Sequence, residues 1–211
     1  MNEGTLSMII QWCLLLLIWM GSLDFVLVRM GMTRAAALAA LALFLVCSFV
    51  SWRLYFLPVH ISISGALLPA LAAGWLYSGL PRMRRRFLLL AGCVTASLLA
   101  LFRLALSRDP VLLVLDEPIL VAGVMLAALF TLTKEFRQQL FLLFLVLPLS
   151  DALQVLSVLP QMEQGIVGGE YAQDLLWVNM ALWGGMLVLW SAAKTGWGVI
   201  RHIRSKSHSH R

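Results

Sequence analysis

Charge is scarce in this chain. Only 12% of its 211 residues are Asp, Glu, Lys or Arg, against 61% hydrophobic. A soluble domain carries about 25% charged residues, because its surface must be solvated. This deficit excludes a water-facing surface over most of the molecule. Cysteine is equally sparse. Cys13, Cys47 and Cys93 each sit inside an apolar run with no CxxC neighbour. That excludes a disulfide framework and a zinc ribbon, and the three read as small apolar packing residues. Histidine is confined to His60, His202, His208 and His210. No HExxH, Walker loop or GxGxxG is present, so no metal and no cofactor is expected. Ser64 has no buried histidine to act as its base. No lysine stands midway along the last apolar run to carry a retinal. A catalytic role is therefore not expected.

What the chain has instead is a series of long apolar runs. About 20 apolar residues are needed to cross a bilayer as a helix. Seven spans are predicted, at residues 6–28, 35–57, 61–80, 87–106, 118–133, 138–159 and 174–193, followed by a basic tail at 194–211. The fold class is an all-α, polytopic transmembrane helix bundle in a single domain. The first run is too long for a signal-peptide core and is read as a retained span. Gly65, Pro69 and Gly74 predict a kink or unwinding in the third. The fifth has the least defined start, with Val111–Leu115 apolar before Asp116 and Glu117 interrupt.

The net charge is +6. The basic residues lie in short loops between apolar runs, not interleaved with aromatics on a polar face, so nucleic acid is excluded as a partner. The positive-inside rule orients the bundle. With the N-terminus outside, the loops after the first, third and fifth spans and the tail fall in the cytoplasm. They hold 13 of the 16 basic residues. Eight of the ten acids fall outside or in the outer half. The alternation needs an odd number of spans and so requires the fifth.

Polar groups inside these spans are the candidates for function, since a charge in hydrocarbon is costly and faces protein or water. Counting about 1.5 Å per residue, Arg53 lies roughly 6 Å, Arg103 roughly 5 Å and Asp151 roughly 12 Å below the outer ends of their spans. Asp116 and Glu117 open the fifth span. Gln154 shares a helix face with Asp151. Arg53, Arg103, Asp116, Glu117, Asp151 and Gln154 thus form a predicted outer cluster. Its readings are an ion-paired structural knot or a ligand or proton site. Snorkelling by the arginines and capping by Asp116 and Glu117 are the plainer alternatives. Asp24, near the inner end of the first span, reads as the partner of a loop arginine. Trp177 reads as an interface anchor. Ala35, Ala36, Ala39 and Ala40 open the second span with small residues four apart. They allow close helix approach, either internally or to a partner protein. His208 and His210 read as part of a solvated tail resting on the lipid bilayer.

Three stretches carry a family resemblance: Gly21-Ser22-Leu23-Asp24-Phe25, Ser150-Asp151-Ala152-Leu153-Gln154 and Gly168-Gly169-Glu170-Tyr171. With the span layout, they resemble the YphA-like membrane proteins of spore-forming Firmicutes. The resemblance implies a multi-pass protein of a bacterial plasma membrane and supplies no active-site residues. Three functions follow as expectations. They are a non-catalytic scaffold or accessory protein, a small-molecule or proton-coupled transporter or its substrate-binding subunit, and an intramembrane enzyme. The last lacks a nucleophile–base pair.

Overall fold

The computed structural model describes residues 3–50, 52–56, 58–108, 117–161 and 164–208. The chain divides into two compact units, Met1–Asn179 and Met180–Arg211. The second is the continuation of one long helix. Apart from the extent of that helix, everything below concerns the first.

Apolar sequence makes helices wherever glycine and proline do not interrupt it. In order they are α1 (Thr5–Trp19), α2 (Asp24–Met30), α3 (Arg34–Val50), α4 (Leu68–Ser78), α5 (Arg82–Arg108), α6 (Glu117–Leu132), α7 (Phe136–Val158) and α8 (Glu170–His208). Among the described residues, three helices are long and apolar enough to cross a membrane: Arg82–Arg108, Phe136–Val158 and Glu170–Leu189. Thr5–Trp19, Arg34–Val50, Ile63–Ser78 and Glu117–Leu132 are shorter apolar helices.

The structure departs from the predicted spans in four places. The first span is two helices. Gly21 adopts φ 78°, open to glycine without penalty. The Arg34 guanidinium fills the space a Cβ there would need and pairs with both Asp24 oxygens. Arg34 is thus the loop arginine that Asp24 was expected to find. The second departure is a small sheet within an all-α expectation. Residues 53–56 do not extend the second span. Arg53–Phe56 form β1, Val59–Ser62 form β2, and Gly165–Val167 form β3. The order is β1-β2-β3, with β1 and β2 antiparallel and β2 and β3 parallel. Third, the predicted unwinding near Gly65 is a π-helical turn at Ile63–Leu67 that leads from β2 into α4. Fourth, the predicted tail continues α8 as helix to His208, while residues 209–211, including His210, lie outside the described residues.

The core lies where helices approach on small residues. Gly92 of α5 admits Leu145 of α7, whose Cδ2 would be 2.7 Å from an added Cβ. Ala96, Leu142, Leu143 and Val146 are buried around this crossing. Ile18, Leu27 and Ala37 form a second cluster that ties α1 and α2 to α3. Trp177 is not an interface anchor. It is buried, with Phe44 set edge-on at 5.3 Å.

Candidate functional site

A buried cation organises the site. Arg103 lies near the C-terminal end of α5 and is 3% exposed. An arginine so placed must be paired, because its charge cannot be shed. Its Nη1 is 3.5 Å from Asp151 Oδ1 on α7, and its Nε is 3.4 Å from Glu117 Oε1 on α6. The face of its guanidinium meets the Tyr171 ring on α8, 5.3 Å from the centroid. Three helices thus converge on one side chain, and a fourth covers it.

Local sequence explains each placement. Glu117 and Pro118 begin α6, where a carboxylate complements the helix dipole and proline costs no hydrogen bond. Pro148 inside α7 cannot donate to the carbonyl of Phe144, one turn before it. The Asp151 carboxylate has a second use. Its Oδ2 accepts the Gly168 N–H at 2.7 Å. Gly168 has φ 71° and turns the chain from β3 toward α8. Asp151 is therefore engaged on both oxygens, one by α5 and one by the sheet turn.

Beside it runs a seam of neutral polar groups. Gln173 Nε2 donates to Ser62 Oγ at 3.4 Å, and Ser62 Oγ lies 3.3 Å from Ser64 Oγ. All three residues are buried. This seam joins α8, β2 and the π-helical turn. His60 on β2 is buried as well, with Nε2 3.2 Å from Gln164 Oε1 and its ring against Tyr55.

The sequence-predicted residues divide as follows. Arg103, Glu117 and Asp151 come together. Gln154 is half-buried on α7, and its shielded Oε1 makes no hydrogen bond among the described residues. Arg53 does not join them: it is exposed on β1, across the ladder from Ser62. Its depth was reckoned along a helix that ends at Val50. Asp116 lies outside the described residues. Tyr171, Gln173, Ser62, Ser64 and Gly168 belong to the site and were not singled out as site residues. The Gly168-Gly169-Glu170-Tyr171 stretch was the available signal, since a Gly pair before a helix marks a tight turn beside whatever that helix covers.

A second polar joint fastens α1. Asp174 accepts the Gly4 N–H at 2.8 Å on Oδ2 and the Ser7 N–H at 2.7 Å on Oδ1. Ser7 Oγ donates to the Gly4 carbonyl. One turn on, buried Gln11 donates to Ser48 of α3 at 3.3 Å. The alanines split differently from an internal seam. Ala37 is buried, while Ala35, Ala36, Ala39 and Ala40 are exposed.

Among the described residues no cluster of three or more His, Cys, Asp or Glu side chains could hold a metal. The arrangement supplies fixed charges and donors that are already bonded to one another. No curated protein and no solved structure matches the chain. A sequence model of the YphA-like integral membrane protein family, however, matches residues 3–210, nearly the whole length. With its apolar helices and sequestered charges, the chain belongs to the YphA-like integral membrane protein family.

Proposed function

We propose that this protein is a non-catalytic scaffold or accessory protein of the bacterial cell membrane. It crosses the bilayer seven times, with the N-terminus outside and the C-terminus in the cytoplasm. The observation that carries this reading is the double engagement of Asp151, to Arg103 and to the Gly168 amide. A carboxylate spent on both oxygens acts as a clasp. It holds the three-stranded sheet on the outer ends of the helices and gives the exterior face a fixed shape. The exposed Ala35, Ala36, Ala39 and Ala40 on α3 supply a close-approach surface for a partner's helix.

A transport reading draws support from the π-helical turn next to the cluster. Such turns are frequent at functional sites. The two readings part on Asp151→Asn in proteoliposomes carrying a pH-sensitive dye. A scaffold shows no proton flux above empty vesicles, before or after substitution. Flux in the wild type that disappears in the variant, with the protein still folded, would replace the scaffold by a proton-coupled transporter.

A further inference from the structure

A space of about 380 Å³ lies between α5 and α6. Leu99 and Met125 form its floor and are 2% and 1% exposed. Phe102 and Ala128 line it further along, with Thr95 and Thr131 as its polar members. Both hydroxyls bond back to their own helices. Thr95 Oγ1 donates back to the Ala91 carbonyl at 2.7 Å, and Thr131 Oγ1 to the Ala127 carbonyl at 2.9 Å. The donor of each hydroxyl is thus spent within its own helix. A water molecule needs two to four polar partners and would find too few in so apolar a lining. The occupant is hydrocarbon.

Shape narrows it further. From Thr131 to Val124 the space follows α6 for about 10 Å, near a third of the roughly 30 Å hydrocarbon thickness. That suits a segment of one acyl chain within one leaflet. Charge then sets the headgroup. Three residues beyond Thr131 stands exposed Lys134. The first turn of α5 lies at this same end, as its Arg84 pairs with Glu135 at 3.6 Å. Arg82, Arg84 and Arg86 there are exposed. Glu135 offsets one of these cations and leaves the rest for an anion.

We infer that the α5–α6 groove is a specific site for an anionic phospholipid, with one acyl chain on Leu99 and Met125 and the phosphate at the Lys134 end. The inference rests on the membrane setting, independently of the scaffold reading.

The test uses the full chain, delipidated in neutral detergent and titrated with phosphatidylglycerol or phosphatidylcholine under native mass spectrometry. One phosphatidylglycerol should bind per chain, in preference to phosphatidylcholine. Ala128→Leu and Thr95→Leu each fill the groove and should weaken that binding about tenfold, the scale of packing interactions in lipid. Leu71→Ala, on an exposed part of α4 that does not line the groove, should leave it unchanged. Lys134→Gln should narrow the preference between headgroups, since the arginines at this end remain. Binding that ignores both filling variants overturns the inference. So does a wild-type dimer that both variants dissociate, since a second copy then fills the groove. Phosphatidylglycerol with a mid-chain diazirine gives a variant-free check. Crosslinks should concentrate on residues 95–102 and 124–132, and an even scatter over the lipid-facing helices overturns the site.

Discussion

Gly65 and Gly168 meet backbone to backbone. A Cβ on Gly65 would fall on the Gly168 carbonyl, and one on Gly168 would lie 2.6 Å from the Ala66 nitrogen. This contact presses the end of β3 onto the π-helical turn. It also aims the Gly168 N–H at Asp151. Alanine at either position meets backbone first, with Gln173 Cγ or Ala66 Cβ close behind, and at Gly168 it must also adopt φ 71°. Each substitution should cost about 2–4 kcal/mol. Gly79 is the control. A Cβ there would collide with the Arg137 guanidinium, the far end of a flexible side chain. Gly79→Ala should cost less than about 1 kcal/mol. Thermal unfolding in detergent ranks the three, and equal losses would show that the Gly65–Gly168 contact is not rigid.

The Arg103–Asp151 pair gives a sharper expectation. Both side chains are nearly sequestered, at 4% and 10% exposure. Removing one partner strands the other charge away from water, at about 3–5 kcal/mol. Removing both leaves no charge sequestered there except Glu117, whose side chain is 30% exposed and reaches water. Arg103→Leu and Asp151→Leu should each lower folded yield and melting temperature severely. The double variant should recover a large part of the Arg103→Leu loss, less the Gly168 hydrogen bond. A double variant as damaged as the sum of the singles would mean the pair is not energetically coupled.

Asp174 should act as a detached cap for α1. Gly4 precedes the helix in the left-handed region and has no side chain to bond the free amides. Asp174 supplies both acceptors from α8. Asp174→Ala should release the first turn of α1 at about 1–2 kcal/mol. Hydrogen exchange should quicken at the amides of Gly4 and Ser7, while that in α5 and α7 stays as it was. Unchanged exchange at those two amides would refute the capping role.

The knot was legible for a physical reason. Arg103, Glu117 and Asp151 are charged residues in apolar surroundings, and depth counted along intact helices placed them together. The count failed where the chain is not helical. Hydropathy registers that residues 54–56 and 61–67 are largely apolar, not that β1, β2 and a π-helical turn interrupt the helices there. The cue was the alternation Val59-His60-Ile61-Ser62 after Pro58, which matches the strand period. Arg53 was misplaced by the same error. Tyr171, Gln173 and Gly168 were out of reach for another reason. They join the site through a parallel β2–β3 pairing over 100 residues apart in sequence, and no local pattern reports that contact.

The proposed topology makes the last prediction, and α6 is where it is most exposed. Its 16 residues cover about 24 Å, short of the roughly 30 Å hydrocarbon layer. If α6 crosses, Met83 in the first turn of α5 and Lys134 after α6 lie on one side, as the Arg84–Glu135 pair requires. Tyr55 on β1 lies on the other, at the opposite end of α3 from Arg34. Single cysteines at these three positions, in a chain freed of Cys13, Cys47 and Cys93, distinguish the arrangements with a membrane-impermeant maleimide. Tyr55→Cys should label in intact cells. Met83→Cys and Lys134→Cys should label only after permeabilisation, for Met83 is 97% exposed and Lys134 is exposed too. The reverse pattern would invert the orientation. Labelling of Lys134→Cys alone from outside would mean that α6 turns back within the membrane, and the seven-span count would fall with it.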